Sequence, residues 1–263
     1  MYIIKIGGGE KINIEGIVSD LAATEKPFII VHGANALRDQ IAEKMGMQKQ
    51  VLTSVSGYSS VFSDENAIDA ILMSYAGIRN KRIVEACQKL NVNAVGLSGI
   101  DGGMVQGKRN KGIRVRENGK TLIKRDFSGK PVQINSELLS LLLDNGYNPV
   151  LCIPIADENG FAINSENDDI VTCLAAATNP ECIFQFIEAP GFMDDPADES
   201  SLVKTLSGSE LAAREEQVEG RMKRKMLALR KLYEQGGARV VIADGRVEHP
   251  LADALSGAGT VIS

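Results

Sequence analysis

The sequence predicts an α/β fold on a mostly parallel sheet, and three observations predict it. Apolar runs of four or five residues recur without polar alternation, as strands buried on both faces require. The runs at 3–6, 28–31 and 93–97 each end in a glycine-containing turn, and helical spacing follows the first two, the pattern of βαβ units. The chain has 263 residues, 44% of them hydrophobic. That is enough to bury the core of one large domain or two closely joined lobes.

In the first strand Ile3, Ile4 and Ile6 frame Lys5, and the strand runs into Gly7, Gly8 and Gly9. A strand of this kind delivers one cation to a turn whose glycines let backbone N–H groups close on phosphoryl oxygens. Plain architecture produces the same pattern, because the spacing matches neither the G-x-x-x-x-G-K-[ST] loop nor the G-x-G-x-x-G turn. Both readings stay open on these residues alone. Ile14, Ile17, Val18, Leu21 and Ala22 recur at helical spacing, and Pro27 marks the next strand. That strand ends at His32, Gly33, Ala34 and Asn35, ahead of a helix carrying Leu37, Ile41, Ala42 and Met45 and stopped at Gly46. His32 reads either as a site residue or as a strand-end residue bonded to a neighbouring loop.

Residues 47–63 lack periodicity and read as a polar loop that lines a pocket or merely connects. Ser63, Asp64 and Glu65 cap a long helical region with Ile68, Ile71, Leu72 and Tyr75 on one face and Ile83, Val84 and Leu90 beyond Gly77, as two stacked helices or one bent one. The third strand follows, and then a basic segment. From Met104 to Arg125 eight cations face Glu117 alone, although the chain carries a net charge of −5. Two strand-like runs flank Asn118-Gly119, a hairpin signal. This ribbon reads either as a charged edge that protects the sheet or as a docking surface for an acidic macromolecule.

Asn135 opens a leucine-rich helix ending at Gly146, followed by a strand at 149–153 and a second hairpin signal at 157–160. Asp168 and Asp169 head an apolar helix, where their default role is to favour its dipole. A strand at 181–187 ends at Glu188 and Gly191. Arg221, Lys223, Arg224 and Lys225 crowd the N-terminal end of a helix, where cations oppose the dipole and an anion nearby would account for them. A strand at 238–243, a short helix led by Pro250 and a closing strand at 257–262 complete the order.

The acidic balance argues against nucleic acid as the main partner. No apolar run reaches the length of a membrane span, and no signal peptide is visible, so a cytoplasmic protein without membrane contact is expected. Cys87, Cys152, Cys173 and Cys182 form no C-x-x-C pair and read as buried free thiols. With His32 and His249 alone, no metal-ligand set and no Ser-His-Asp arrangement is in view.

The motifs Lys5-Ile6-Gly7-Gly8, Val31-His32-Gly33, the stretch 93–99, Ile163-Asn164 with Asp168, and the stretch 220–225 appear in the order of the amino acid kinase family. Over essentially its whole length the sequence resembles that family. It is most similar to the branch phosphorylating the side-chain carboxylate of 2-aminoadipate or glutamate on a small acidic amino-group carrier protein of the LysW type. The resemblance implies a three-layer α/β/α sandwich with a mostly parallel central sheet, the carbamate kinase-like fold. It further implies a single domain whose residues 1–165 form the acyl-substrate lobe and 166–263 the nucleotide lobe, and a homodimer.

The resemblance also implies ATP with Mg²⁺ and a catalytic set of Lys5, Lys225 and Asp168, the aspartate orienting both lysines. Gly7, Gly8, Glu188 and Gly191 correspond to nucleotide positions. Gly33, Ala34, Val61 and Asn164 correspond to substrate positions, with backbone donors expected from Gly7, Gly8 and Gly33. Arg114, Arg116 and Lys120 would dock the carrier. Three departures stand out. Ala34 replaces a second glycine, so its methyl is expected near the γ-phosphate with φ restricted. Val61 stands where an arginine would hold the substrate's α-carboxylate, leaving Arg38 or Lys81 to substitute. Ile187-Glu188 replaces a Ser/Thr-Asp/Asn pair. N-acetylglutamate kinase is the competing expectation, and a nucleotide-binding sensor without turnover is a third.

Overall fold

The computed structural model describes the chain apart from residues 48–49, 56–58, 118, 218–219, 235–237 and 263, and apart from the side chains of 59–61, 117, 217 and 220–225. Eight strands form the central sheet, in the order Thr205–Leu206, Thr260–Ile262, Arg239–Asp244, Cys182–Ile187, Tyr2–Ile6, Phe28–His32, Asn148–Cys152 and Ala94–Ser98. Every pairing is parallel except that of Arg239–Asp244 with Thr260–Ile262. The α/β sandwich with a mostly parallel sheet is therefore present, and the two strands at one edge, Thr205–Leu206 and Thr260–Ile262, run opposite to the other six.

Alternation along the first strand decides what lies on each face. Side chains two apart point the same way. Ile3 packs with Ile29, Val31, Leu151 and Ile183 and with the helical residues Val171, Leu174 and Leu229. Ile4 and Ile6 join Ile30, Phe184 and Phe186 against Ile17, Leu21, Ile83 and Leu251. Lys5, in step with Ile3, faces the layer that holds the helices Asn167–Thr178 and Gly220–Glu234.

The region beginning at Glu65 is one continuous helical run rather than two stacked helices. Glu65–Ile71 is α-helical, Leu72–Arg79 is wound as a π-helix, and Asn80–Lys89 returns to α. Asn80 is wholly buried, and its Nδ2 donates to the Val150 carbonyl at 2.9 Å and lies 3.2 Å from His32 Nε2. The run therefore crosses the carboxyl ends of the central strands, where ligands of open parallel sheets bind.

Residues 47–63, read as an unstructured loop, contain the short pair Val51–Thr53 and Ser59–Val61. Ile113–Glu117 and Lys120–Lys124 pair antiparallel with Glu117 opposite Lys120, as a two-residue connection demands. Asn118 itself lies outside the described residues. A second sheet of four strands, Ala162–Ile163, Ile155–Ala156, Val105–Arg109 and Gly129–Ile134, stands beside this hairpin. Among the described residues no helix is long and apolar enough to cross a membrane.

Candidate active site

Strand parity and helix position together place the central pair. Lys5 is 9% exposed, and Asp168 sits in the first turn of the helix packed on that face. Lys5 Nζ lies 3.0 Å from Asp168 Oδ1. The oxygen is close enough for an ion pair but off the direction of an aligned hydrogen bond, which leaves the ammonium's donors free to turn toward another anion.

The glycine turn is built by close approach of two strand ends. A Cβ on Gly8 would lie 2.6 Å from the Asn35 nitrogen and 2.9 Å from that of Ala34, so only glycine allows these backbones to meet. A Cβ on Gly9 would lie 2.2 Å from the carboxyl carbon of Glu188. Glu188 Oε1 in turn accepts from the Lys11 N–H at 2.6 Å.

The donors of this turn differ from expectation. Gly7 N–H is donated to the Phe186 carbonyl at 2.9 Å and Gly33 N–H to the Ile6 carbonyl at 2.8 Å, both extending the sheet. Neither is free for a ligand. Gly8, Gly9 and Glu10 have no N–H partner among the described residues, which leaves these donors open to a ligand. Of the three donors expected from the sequence, Gly7 and Gly33 are engaged in the sheet and Gly8 is not.

Ala34 also differs from expectation. Its φ is −148°, which any L-residue adopts, and its methyl is 1% exposed in the apolar cluster with Ile71 and Tyr75. The methyl fills core rather than the space over the turn. Tyr75 closes this corner by donating its hydroxyl to Asn35 Oδ1, and burial pushes its pKa up to about 12. His32 is fully buried beneath the same corner, and loss of hydration lowers its pKa to about 3. The neutral ring places Nδ1 beside the Gly33 carbonyl and offers Nε2 as acceptor to Asn80.

Two cavities meet the first turn of Asn167–Thr178, and the Lys5–Asp168 pair lines the smaller of them. The smaller, about 370 Å³, is lined by Lys5, Asp168, Gln185, Glu188, Gly191 and the apolar Ile242 and Leu229. The larger, about 970 Å³, is lined by Asn164, Glu166 and Asp169 together with the cations Lys111, Arg114, Lys130 and Lys231. Ala228, on the helix Gly220–Glu234, lines both. The first turn of Asn167–Thr178 thus presents Asp168 to one cavity and Asp169 to the other. Asn164 Nδ2 donates to Ser63 Oγ at 3.0 Å, which fixes its amide at the wall of the larger cavity.

The side chains of Lys225 and Val61, expected at the phosphoryl group and at the substrate, lie outside the described residues. Arg38 binds Asp39 through both Nε and Nη2, and Lys81 Nζ donates to the Gly96 carbonyl, so neither suggested substitute stands free. On the hairpin, cross-strand pairing puts Arg114 and Arg116 on one face and Lys120, opposite Glu117, on the other. All three are exposed. Among the described residues no group of three or more His, Cys, Asp or Glu side chains could hold a metal ion.

Residues that the sequence reading missed include Arg79, beside the glycine turn, and Lys231, in the larger cavity. The helix Gly208–Gln217 also went unread, although Ser207 and Glu210 form a capping box that signals its start.

The sequence profile of the amino acid kinase family matches residues 1–244. A [LysW]-aminoadipate kinase of Deinococcus radiodurans is 39% identical, covering 100% of this chain and 91% of its own length. One from Thermus thermophilus is 38% identical with 100% of both covered. An acetylglutamate kinase of Methanopyrus kandleri is 28% identical, again over 100% of both. Among solved structures, N-acetylglutamate synthase of Neisseria gonorrhoeae superposes with a TM-score of 0.80 at 19% identity, covering 100% of this chain and 59% of that one. Giardia carbamate kinase superposes with a TM-score of 0.69 at 16% identity, covering 99% and 97%. These two share the fold.

Proposed function

Since the chain belongs to the amino acid kinase family, we propose that it moves the γ-phosphoryl group of ATP to a side-chain carboxylate of 2-aminoadipate or glutamate held on a small acidic carrier protein. The observation that carries this reading is the Lys5–Asp168 pair at 3.0 Å, with Asp168 lining a small apolar-walled cavity and Asp169 lining a large one rimmed by cations. A nucleotide and a protein-borne acid need two such chambers with one shared point of transfer.

The residues present suit a nucleotide. The smaller cavity offers apolar walls for a base, and the unpartnered N–H groups of Gly8, Gly9 and Glu10 lie near the end of the Lys5 strand. ATP supplies the phosphoryl group; Mg²⁺, which would be held mostly by the phosphates and water since no metal-ligand group occurs among the described residues, would neutralise charge on its oxygens. The chain's own part is alignment and charge. Lys5 stabilises negative charge spreading over the transferring group, and Asp168 keeps that ammonium aimed. Lys225, a residue of the helix Gly220–Glu234, is assigned the role of second cation. Asn164 hydrogen-bonds the amino acid moiety. A carboxylate oxygen forms the new bond to phosphorus while the bond to the β-phosphate oxygen breaks, leaving an acyl phosphate and ADP with no proton to be moved, because the acceptor is already ionised at neutral pH.

Residues 1–165 supply most of the larger cavity and 166–263 most of the smaller, which supports an acyl lobe and a nucleotide lobe within one continuous sheet. Arg114, with Lys111 and Lys130, gives the larger cavity a cationic rim suited to an acidic carrier; Arg116 shares the Arg114 face of the ribbon, and Lys120 lies on the far face. The enzyme is read as a homodimer. Names of the relatives support the carrier-dependent reaction, and the acetylglutamate kinase among them keeps a free N-acylated acid as the second reading. The test is ADP release with carrier-bound aminoadipate, carrier-bound glutamate and free N-acetylglutamate side by side. Turnover with a carrier-bound acid and none with the free acid is expected. Equal turnover of free N-acetylglutamate would overturn the carrier requirement.

A further inference from the structure

The glycine turn is held at three points, and only two are accounted for by the sheet and its helices. Gly8 carbonyl accepts from the Ala36 N–H at 3.1 Å, which sets the plane of the 8–9 peptide and hence the direction of the Gly9 N–H. Lys11 N–H is taken by Glu188. Between them the Gly9 carbonyl is approached by Arg79 Nη2 at 3.4 Å, and this contact sets the 9–10 peptide and the direction of the Glu10 N–H.

Arg79 is an unusual residue to find there. It ends the π-wound stretch, and the next residue, Asn80, is locked by its bonds to Val150 and its approach to His32, so the guanidinium's root has no freedom. Its Nε is buried and has no partner among the described residues. Loss of hydration lowers its pKa, and the charge on Glu188 works the other way. A cation that is half desolvated and incompletely bonded is a poor device for stability, since an apolar side chain of similar volume packs without the desolvation penalty. What it does provide is a fixed positive charge and one donor at the turn where phosphates are to be bound.

We propose that Arg79 is a positioning residue for phosphoryl transfer. It fixes the Gly9 carbonyl so that the Glu10 N–H, beside those of Gly8 and Gly9, faces the nucleotide phosphates. With Glu188 on the Lys11 N–H, it clamps the outer half of the turn from two different elements. Arg79 touches no reacting atom in this scheme and acts through the backbone of the turn.

The inference rests on the phosphoryl-transfer reading of this site, and the experiment separates the two. Wild type, Arg79→Met and Arg79→Lys are compared for melting temperature without nucleotide, for kcat, and for KM of the carrier-bound substrate. Arg79→Met is expected to lower kcat about 10- to 100-fold, as misplaced phosphate donors do. Its melting temperature stays at or above that of wild type, and its KM for the carrier-bound substrate stays within about threefold. Arg79→Lys, which keeps a cation and a donor, recovers most of the loss. An Arg79→Met enzyme with wild-type kcat overturns the inference while leaving the kinase reading intact. Equal losses in both variants that follow a fall in melting temperature also overturn it, because they mark a structural residue. A wild-type protein that neither binds nor hydrolyses ATP removes the kinase reading itself.

Discussion

His32 shows what burial does to a single residue beside the site. Its ring is completely enclosed and its pKa falls to about 3, with desolvation as the main cause and the cations Arg79 and Lys81 adding to it. The unfolded chain takes up a proton near pH 6.5, whereas the folded chain stays neutral until about 3. The stabilising effect is therefore complete above pH 6.5 and is lost as pH falls below it, at about 1.4 kcal/mol per pH unit. Urea midpoints measured from pH 7.5 to 4.5 should decline, and His32→Gln should flatten that decline even where it lowers the midpoint overall. An unchanged slope in the variant would show that His32 does not carry the effect. His249 gives the opposite sign at the surface. Its hydrogen bond with Asp20 raises its pKa, so the contribution of that contact is full below pH 6.5 and disappears as pH rises through the folded value.

At the scale of elements, the run Glu65–Lys89 and the basic ribbon divide the work. Asn80 ties the run to the strand ends, and Asn80→Ala would leave the Val150 carbonyl without its donor and His32 Nε2 without its neighbour in the interior, at a cost of about 2 kcal/mol. Denaturant unfolding of the variant measures it directly. Reversing Arg114 and Arg116 to glutamate should raise KM for the carrier-bound substrate strongly while leaving nucleotide affinity unchanged, and Lys120→Glu should do less because it lies on the other face of the ribbon. Equal effects of all three would place the carrier at the hairpin tip instead.

Much of this architecture was legible in the sequence, for a physical reason. Strands buried on both faces write themselves as unbroken apolar runs, so the central strands and the hairpin turn were readable, and Lys5 stood out as the cation inside such a run. The short strands Val105–Arg109 and Gly129–Ile134 were not, because alternating polar residues along them resemble loop. The π-wound segment was hidden for another reason, since its side-chain pattern is that of an ordinary amphipathic helix. Register was hidden as well. Nothing local in the sequence says that Gly7 and Gly33 donate their N–H groups to the sheet, that the Ala34 methyl turns into the core, or that Arg79 reaches Gly9.

Taken as a whole, the molecule carries a net charge of −5 yet presents cations around its larger cavity. Exposed charges act over about 8–10 Å at physiological ionic strength, so raising salt should raise KM for the carrier-bound substrate much more than for ATP, which the proposal assigns to backbone donors and the buried Lys5. Parallel salt dependence of both would indicate that the basic rim does not recognise the carrier. The central claim is that the ion pair of Lys5 with Asp168, at the wall of the smaller chamber, performs the transfer. Its most direct measurement is single-turnover transfer of phosphate from ATP to carrier-bound aminoadipate by wild type and by Lys5→Met, with ATP affinity measured on the same samples. The account predicts transfer slowed about 10²- to 10³-fold with ATP still bound; transfer at the wild-type rate in Lys5→Met would contradict it.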